Sequence, residues 1–204
     1  MKALFLGAFL LVASAIPASA STVTIDSSTG CSNCFGLTWT LTINTGSYQA
    51  GAYTYEAILS VADDPLISGT PSNVISAVDF KVSSSVSGAT LYTAPTAGWT
   101  SSLNGVASAG CSANGSGFVC AQSATAAPYS ALRTWGWYFN TSDPIFANLN
   151  GAHIGAKMVD LNTPGRLLSE TVQVPEPASL SLIGAGAFGL ATVLARRRRR
   201  SAKS

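Results

Sequence analysis

Histidine and glutamate are scarce in this chain of 204 residues, and each shortage closes off chemistry. His153 is the only imidazole, so a Ser-His-Asp or Cys-His mechanism would have to use it as base. It falls within a predicted strand, no Gly-x-Ser-x-Gly elbow lies near it, and it reads as a structural residue. Before residue 175 the only glutamates are Glu56 and Glu170. A glycan hydrolase needs two carboxylates about 5–10 Å apart, so hydrolysis is the third and last of the functional readings carried forward. Basic clusters are missing as well: no run of Lys or Arg precedes residue 196. Nucleic-acid binding, which rests on neutralising phosphates, is therefore not expected. No long stretch shows the 3.6-residue period of a soluble amphipathic helix. Cysteine is limited to four, Cys31, Cys34, Cys111 and Cys120. A redox Cys-x-x-Cys belongs at a helix start, whereas Cys34 leads into a strand of threonines. A zinc site would want a second Cys-x-x-Cys or a Cys/His set. No cofactor, no metal and no enzymatic activity are expected.

What the chain does have in quantity is concentrated at its ends. Residues 1–20 read as a secretory signal peptide: Lys2, an apolar stretch from Ala3 to Ala15, then Ala18-Ser19-Ala20 for the signal peptidase. Cleavage after Ala20 would leave Ser21 as the mature start, and it implies signal peptidase and the Sec machinery as partners. At the other end, Pro175, Glu176 and Pro177 form a stiff extended tripeptide, because each proline fixes φ and disfavours helix just before it. Residues 178–195 are uncharged and mostly apolar, near the lower limit for one transmembrane helix. Arg196, Arg197, Arg198, Arg199 and Arg200 then act as a stop-transfer block within the basic tail 196–204, held in the cytoplasm. From Ser21 to Pro177, four basic residues stand against nine acidic ones, a balance of −5 that the overall net charge of +2 conceals.

Pro-Glu-Pro, a short apolar span and an arginine block in that order resemble the PEP-CTERM sorting signal of Gram-negative bacteria. The resemblance covers residues 175–204. It implies recognition by an exosortase, transient anchoring in the inner membrane with the domain in the periplasm, and final delivery to the cell surface or extracellular matrix. It also implies an association with exopolysaccharide or biofilm. Three further runs, Val78 to Tyr92, Gly110 to Ala121 and Gly151 to Asp160, look like a recurrent domain of PEP-CTERM proteins; that likeness supplies no catalytic residues.

The exported domain, residues 21–174, reads as all-β. Leu37, Trp39, Leu41 and Ile43 alternate with threonines, and Tyr53 to Val61 forms a second alternating set after a turn at Gly46-Ser47. Further strands are expected at Val74 to Val82, Gly88 to Thr93, Trp99 to Leu103, Gly117 to Gln122, Thr134 to Asn140, Ala152 to Asp160 and Leu167 to Val174. Eight to ten short strands with frequent turn signals predict an antiparallel β-sandwich, with jelly-roll and immunoglobulin-like topologies both open. In an oxidising compartment the cysteines should form disulfides. Local pairing, Cys31 with Cys34 and Cys111 with Cys120, is favoured by the short loops; a crossed pattern is the alternative.

Aromatics carry the last reading. Trp135, Trp137 and Phe139 share one strand face and read as core. Tyr138, on the opposite face, and Trp99, beside a loop, are the candidates for glycan contact, since aromatic faces stack on sugar rings. Two readings of function lead: an exported, non-enzymatic surface or matrix protein, and a carbohydrate-binding β-sandwich module.

Overall fold

A computed structural model describes residues 20–29, 31, 34–63, 73–127, 132–160 and 164–172. Ala18, the Pro-Glu-Pro motif, the 178–195 span and Arg196 to Arg200 lie outside the described residues. The described chain forms β1 (Ala20–Ile25), β2 (Leu37–Tyr48), β3 (Tyr53–Asp63), β4 (Asn73–Lys81), β5 (Gly88–Thr93) and β6 (Trp99–Ser102). After these come β7 (Gly105–Ala107), β8 (Gly110–Ala113), β9 (Phe118–Ala127), β10 (Leu132–Asn140), β11 (His153–Asp160) and β12 (Pro164–Thr171). Among the described residues no helix is long and apolar enough to cross a membrane.

Period-two patterning builds two five-stranded sheets that bury one face each. Sheet A runs β1-β2-β3-β10-β5 and sheet B runs β12-β11-β4-β9-β6. Every pairing is antiparallel. β3 pairs with β10 in one sheet while β4 pairs with β9 in the other, so early and late strands nest across the sandwich. The core is filled by the alternating residues of the sequence pattern. Leu37, Trp39, Leu41, Leu59, Trp135, Trp137 and Phe139 come from sheet A, and Val78, Phe80, Ile154 and Met158 from sheet B. Phe80 meets Trp137 and Phe139 edge-on at 5.2 and 5.6 Å, locking the two sheets together.

Three features depart from the sequence reading. β1 is an additional strand, paired from Ala20–Asn44 to Ile25–Trp39. β2 does not end at Gly46-Ser47. It continues through a register shift to Tyr48, and the turn follows at Gln49, Ala50 and Gly51, all with positive φ. Gly51, at φ +90, takes the conformation that glycine adopts without penalty. Finally, β7 and β8 form a two-stranded hairpin of their own, between the strands expected at Trp99 to Leu103 and Gly117 to Gln122. The cysteines pair locally, Cys31 with Cys34 and Cys111 with Cys120, and none is free.

Candidate functional site

The outward face of sheet A is a carpet of hydroxyls. The threonines that alternate with the core residues of β1 and β2 pair across the strands, Thr22 with Thr42 at 3.0 Å and Thr24 with Thr40 at 3.2 Å. Ser60 and Thr134 do the same at 3.2 Å between β3 and β10. Towards the β2–β3 turn this face changes character and becomes aromatic.

Tyr138 sits at the centre of that region. Its ring stacks on Tyr92 at 4.3 Å, on Tyr48 at 5.1 Å and on Tyr53 at 6.3 Å. Two backbone irregularities bring these rings together. β5 carries one extra residue opposite the Gly136/Trp137 step of β10, and the surplus residue is Tyr92. A bulge re-aims a side chain in this way. Tyr92 then crosses β10 over Gly136, where a Cβ would come within 2.5 Å of its Cζ. The register shift between Thr45 and Tyr48 likewise sets Tyr48 opposite Tyr53.

Glu56 ties the group together, opposite Tyr138 in the β3–β10 ladder. Its Oε1 accepts the Tyr92 hydroxyl at 2.7 Å, and its Oε2 accepts the Asn44 amide at 2.8 Å. The Tyr53 hydroxyl hydrogen-bonds Thr90 at 2.7 Å. Burial, and then the bond to Glu56, push the Tyr92 phenol upward. Burial, and then the charge of Glu56, raise Tyr48 as well. Both hydroxyls keep their protons at neutral pH, and that of Tyr92 is committed to the Glu56 carboxylate.

Trp99 does not join this cluster. It lies on β6 in the other sheet, packs edge-to-face on Trp135 at 5.1 Å, and donates its indole N–H to Thr96 at 3.2 Å. The two candidate glycan contacts therefore occupy different sheets. Tyr138 has acquired three ring partners that the sequence pattern did not reveal, whereas Trp99 belongs to the rim of the core.

A second polar locus lies under the β7–β8 hairpin. The Asp79 carboxylate points outward from sheet B, yet it is 1% exposed because the hairpin covers it. It accepts the Val106 N–H, and His153 Nε2 stands 3.9 Å from its Oδ1. Gln122 Oε1 accepts the Cys111 N–H at 2.7 Å, and the Cys111–Cys120 disulfide staples the same hairpin to β9. Burial pushes Asp79 up to about 6 and draws His153 down, with Lys81 adding to the latter effect. Phe118 packs edge-on against the imidazole at 5.5 Å. This is an interior anchor for a flap.

The glutamates are not brought together either. Glu56 lies on the outer face of sheet A, while Glu170 lines a cleft of about 870 Å³ between the edge strands β1 and β12. That cleft is bordered by Ala20 at the start of β1 and by Val172, the last described residue.

Just beyond Val172, residues 173–200 match the PEP-CTERM protein-sorting motif. The chain carries a PEP-CTERM sorting signal. No curated protein and no solved structure matches the chain. The PEP-CTERM motif marks a protein that is exported, passes through a membrane-anchored stage and is processed by an exosortase. Val172, the last described residue, immediately precedes the matched residues.

Proposed function

We propose that the chain is an exported, non-enzymatic protein of the cell surface or extracellular matrix, associated with extracellular polysaccharide. The sorting motif at residues 173–200 carries this reading, because it accounts for the tail, the export and the oxidised cysteines together. In this reading the domain is held in the periplasm by a transient inner-membrane anchor and is then released near Pro175–Pro177. A structural role is supported by the chemistry of the fold. All four cysteines are oxidised, Glu56 and Glu170 lie on different sheets, and the one histidine flanks a buried structural carboxylate. Mass spectrometry of the mature protein from normal and exosortase-deleted hosts tests the sorting step. Release of a form lacking the same C-terminal tail in the deleted host would overturn it.

The carbohydrate-binding reading is favoured by one observation, the stacked tyrosines around Glu56 on an otherwise hydroxyl-covered sheet. It is compatible with the matrix role, since a matrix protein must hold to its matrix. Retention of the chain by immobilised polysaccharide, against retention after Tyr138→Ala, tests it.

A further inference from the structure

We infer that the tyrosine cluster of sheet A is a binding site for a neutral polysaccharide chain, and that Glu56 makes it reject anionic ones. The inference rests on the polysaccharide reading above and goes further by naming the site and the charge class of its ligand.

Three observations carry it. First, the cluster is built by departures from regular structure and does not follow from strand pairing alone. A bulge places Tyr92, a register shift places Tyr48, and a glycine at 136 leaves room for the Tyr92 ring to cross β10. A side chain here would displace that ring. Second, Tyr92 is 39% exposed although it makes a ring stack and a hydrogen bond. An amphipathic ring fixed in place and open to solvent pays little conformational entropy on binding. Third, the outward face has one sign of charge. Among the described residues its outward positions carry the Glu56 carboxylate and no Lys, Arg or His.

The chemistry selects the ligand class from these observations. Sugar rings present apolar C–H faces and many hydroxyls, matching exposed ring surface flanked by phenol oxygens, a carboxylate acceptor and threonine hydroxyls. A uronate or sulfated chain would bring its charges beside Glu56 with no cation among the described residues of this face to neutralise them, a repulsive element of the kind that produces specificity. The remaining charge of Glu56 is directed at Tyr92 and Asn44, so a cationic ligand is not required to satisfy it.

The test uses the full chain in detergent and affinity electrophoresis through gels containing dextran, alginate or chitosan. The expected result is retardation by dextran and none by alginate. Tyr92→Ala and Gly136→Ala should each weaken the dextran effect about tenfold, and the second keeps every aromatic ring while displacing Tyr92 and the neighbouring Thr93 methyl. Glu56→Gln should let alginate retard the chain. Circular dichroism melts identify a variant that has merely unfolded, and the other variant then decides. Retardation by dextran that both folded variants retain overturns the site. Stronger retardation by alginate or chitosan than by dextran overturns the charge class. If none of the three polymers retards the wild-type chain, the polysaccharide reading itself fails and this inference falls with it.

Discussion

Asp79 and His153 face one another between β4 and β11, with Oδ1 3.9 Å from Nε2 and the carboxylate sealed beneath the β7–β8 hairpin. Their burial acts in opposite directions on the two ionisations. Native Asp79 holds its proton up to about pH 6, against an ordinary value of 3.8, because burial penalises its charge. Between those two values the folded state binds a proton that the unfolded state has lost, so stability falls as pH rises. Native His153 is drawn below its ordinary 6.5, so its contribution falls instead as pH drops below that value.

Comparison with Asp79→Asn isolates the Asp79 part. The stability of wild type relative to the variant should decline by about 3 kcal/mol in all from about pH 3 to about pH 7, with about 2 kcal/mol of that between pH 4 and pH 6. Urea denaturation at half-unit pH steps measures it. A difference that stays flat across that window would mean that Asp79 is an ordinary carboxylate.

The room around Asp79 is equally specific. A Cβ added at Gly155 would fall 2.2 Å from Asp79 Oδ1, and the carboxylate cannot swing away beneath the hairpin. Gly155→Ala should cost about 2–3 kcal/mol through overpacking, read as a lowered denaturation midpoint with an unchanged m-value. Gly88→Ala is the control, since nothing lies within 4 Å of its added Cβ.

The sandwich was legible in the sequence where burial follows a simple alternation. Leu37 to Ile43 and Trp135 to Phe139 place every second residue in the core, and the structure has them there with no exposure for Leu37, Trp39, Leu41, Trp135, Trp137 and Phe139. The motifs that decide sorting were legible too, because they are read as extended sequence. Asp79 was not legible, because alternation with Val78 and Phe80 places it on the solvent side. The hairpin that buries it arrives some distance later from Gly- and Ser-rich chain. Tyr48 and Tyr92 escaped for a related reason. A bulge and a register shift set their directions, and neither leaves a mark in a period-two pattern. β1 is not legible because Ala20–Ile25 adjoins the expected signal-peptidase site and is short.

The two disulfides should differ in what they hold. Cys111–Cys120 closes a loop with a sequence separation of 9 and anchors β8 to β9, while Cys31–Cys34 spans a separation of 3. Chain-entropy arguments assign about 3 kcal/mol to the first and about 2 kcal/mol to the second. Replacing Cys111 and Cys120 together by alanine should therefore cost more than replacing Cys31 and Cys34. It should also speed amide exchange at Val106 and at position 111, whose N–H groups bond Asp79 and Gln122, before the core strands β3 and β10 are affected. Equal exchange across hairpin and core would count against a separately anchored flap.

Trp99 and Tyr138 lie on different sheets, and substitution should separate their roles. Trp99 packs edge-on against Trp135 at the margin of the core, so Trp99→Ala removes buried contact and should cost about 2–3 kcal/mol in stability. Its retention by dextran should be unchanged wherever the variant remains folded. Tyr138→Ala removes the ring shared by Tyr92, Tyr48 and Tyr53, on the half-exposed face of sheet A. Its stability cost should be smaller, about 1 kcal/mol, while retention should fall about tenfold. Melting temperature and gel retardation on the same two preparations give both readings. Loss of retention in Trp99→Ala with a native melting curve would move the binding surface to sheet B, because the two side chains lie on different sheets and cannot serve one ligand contact.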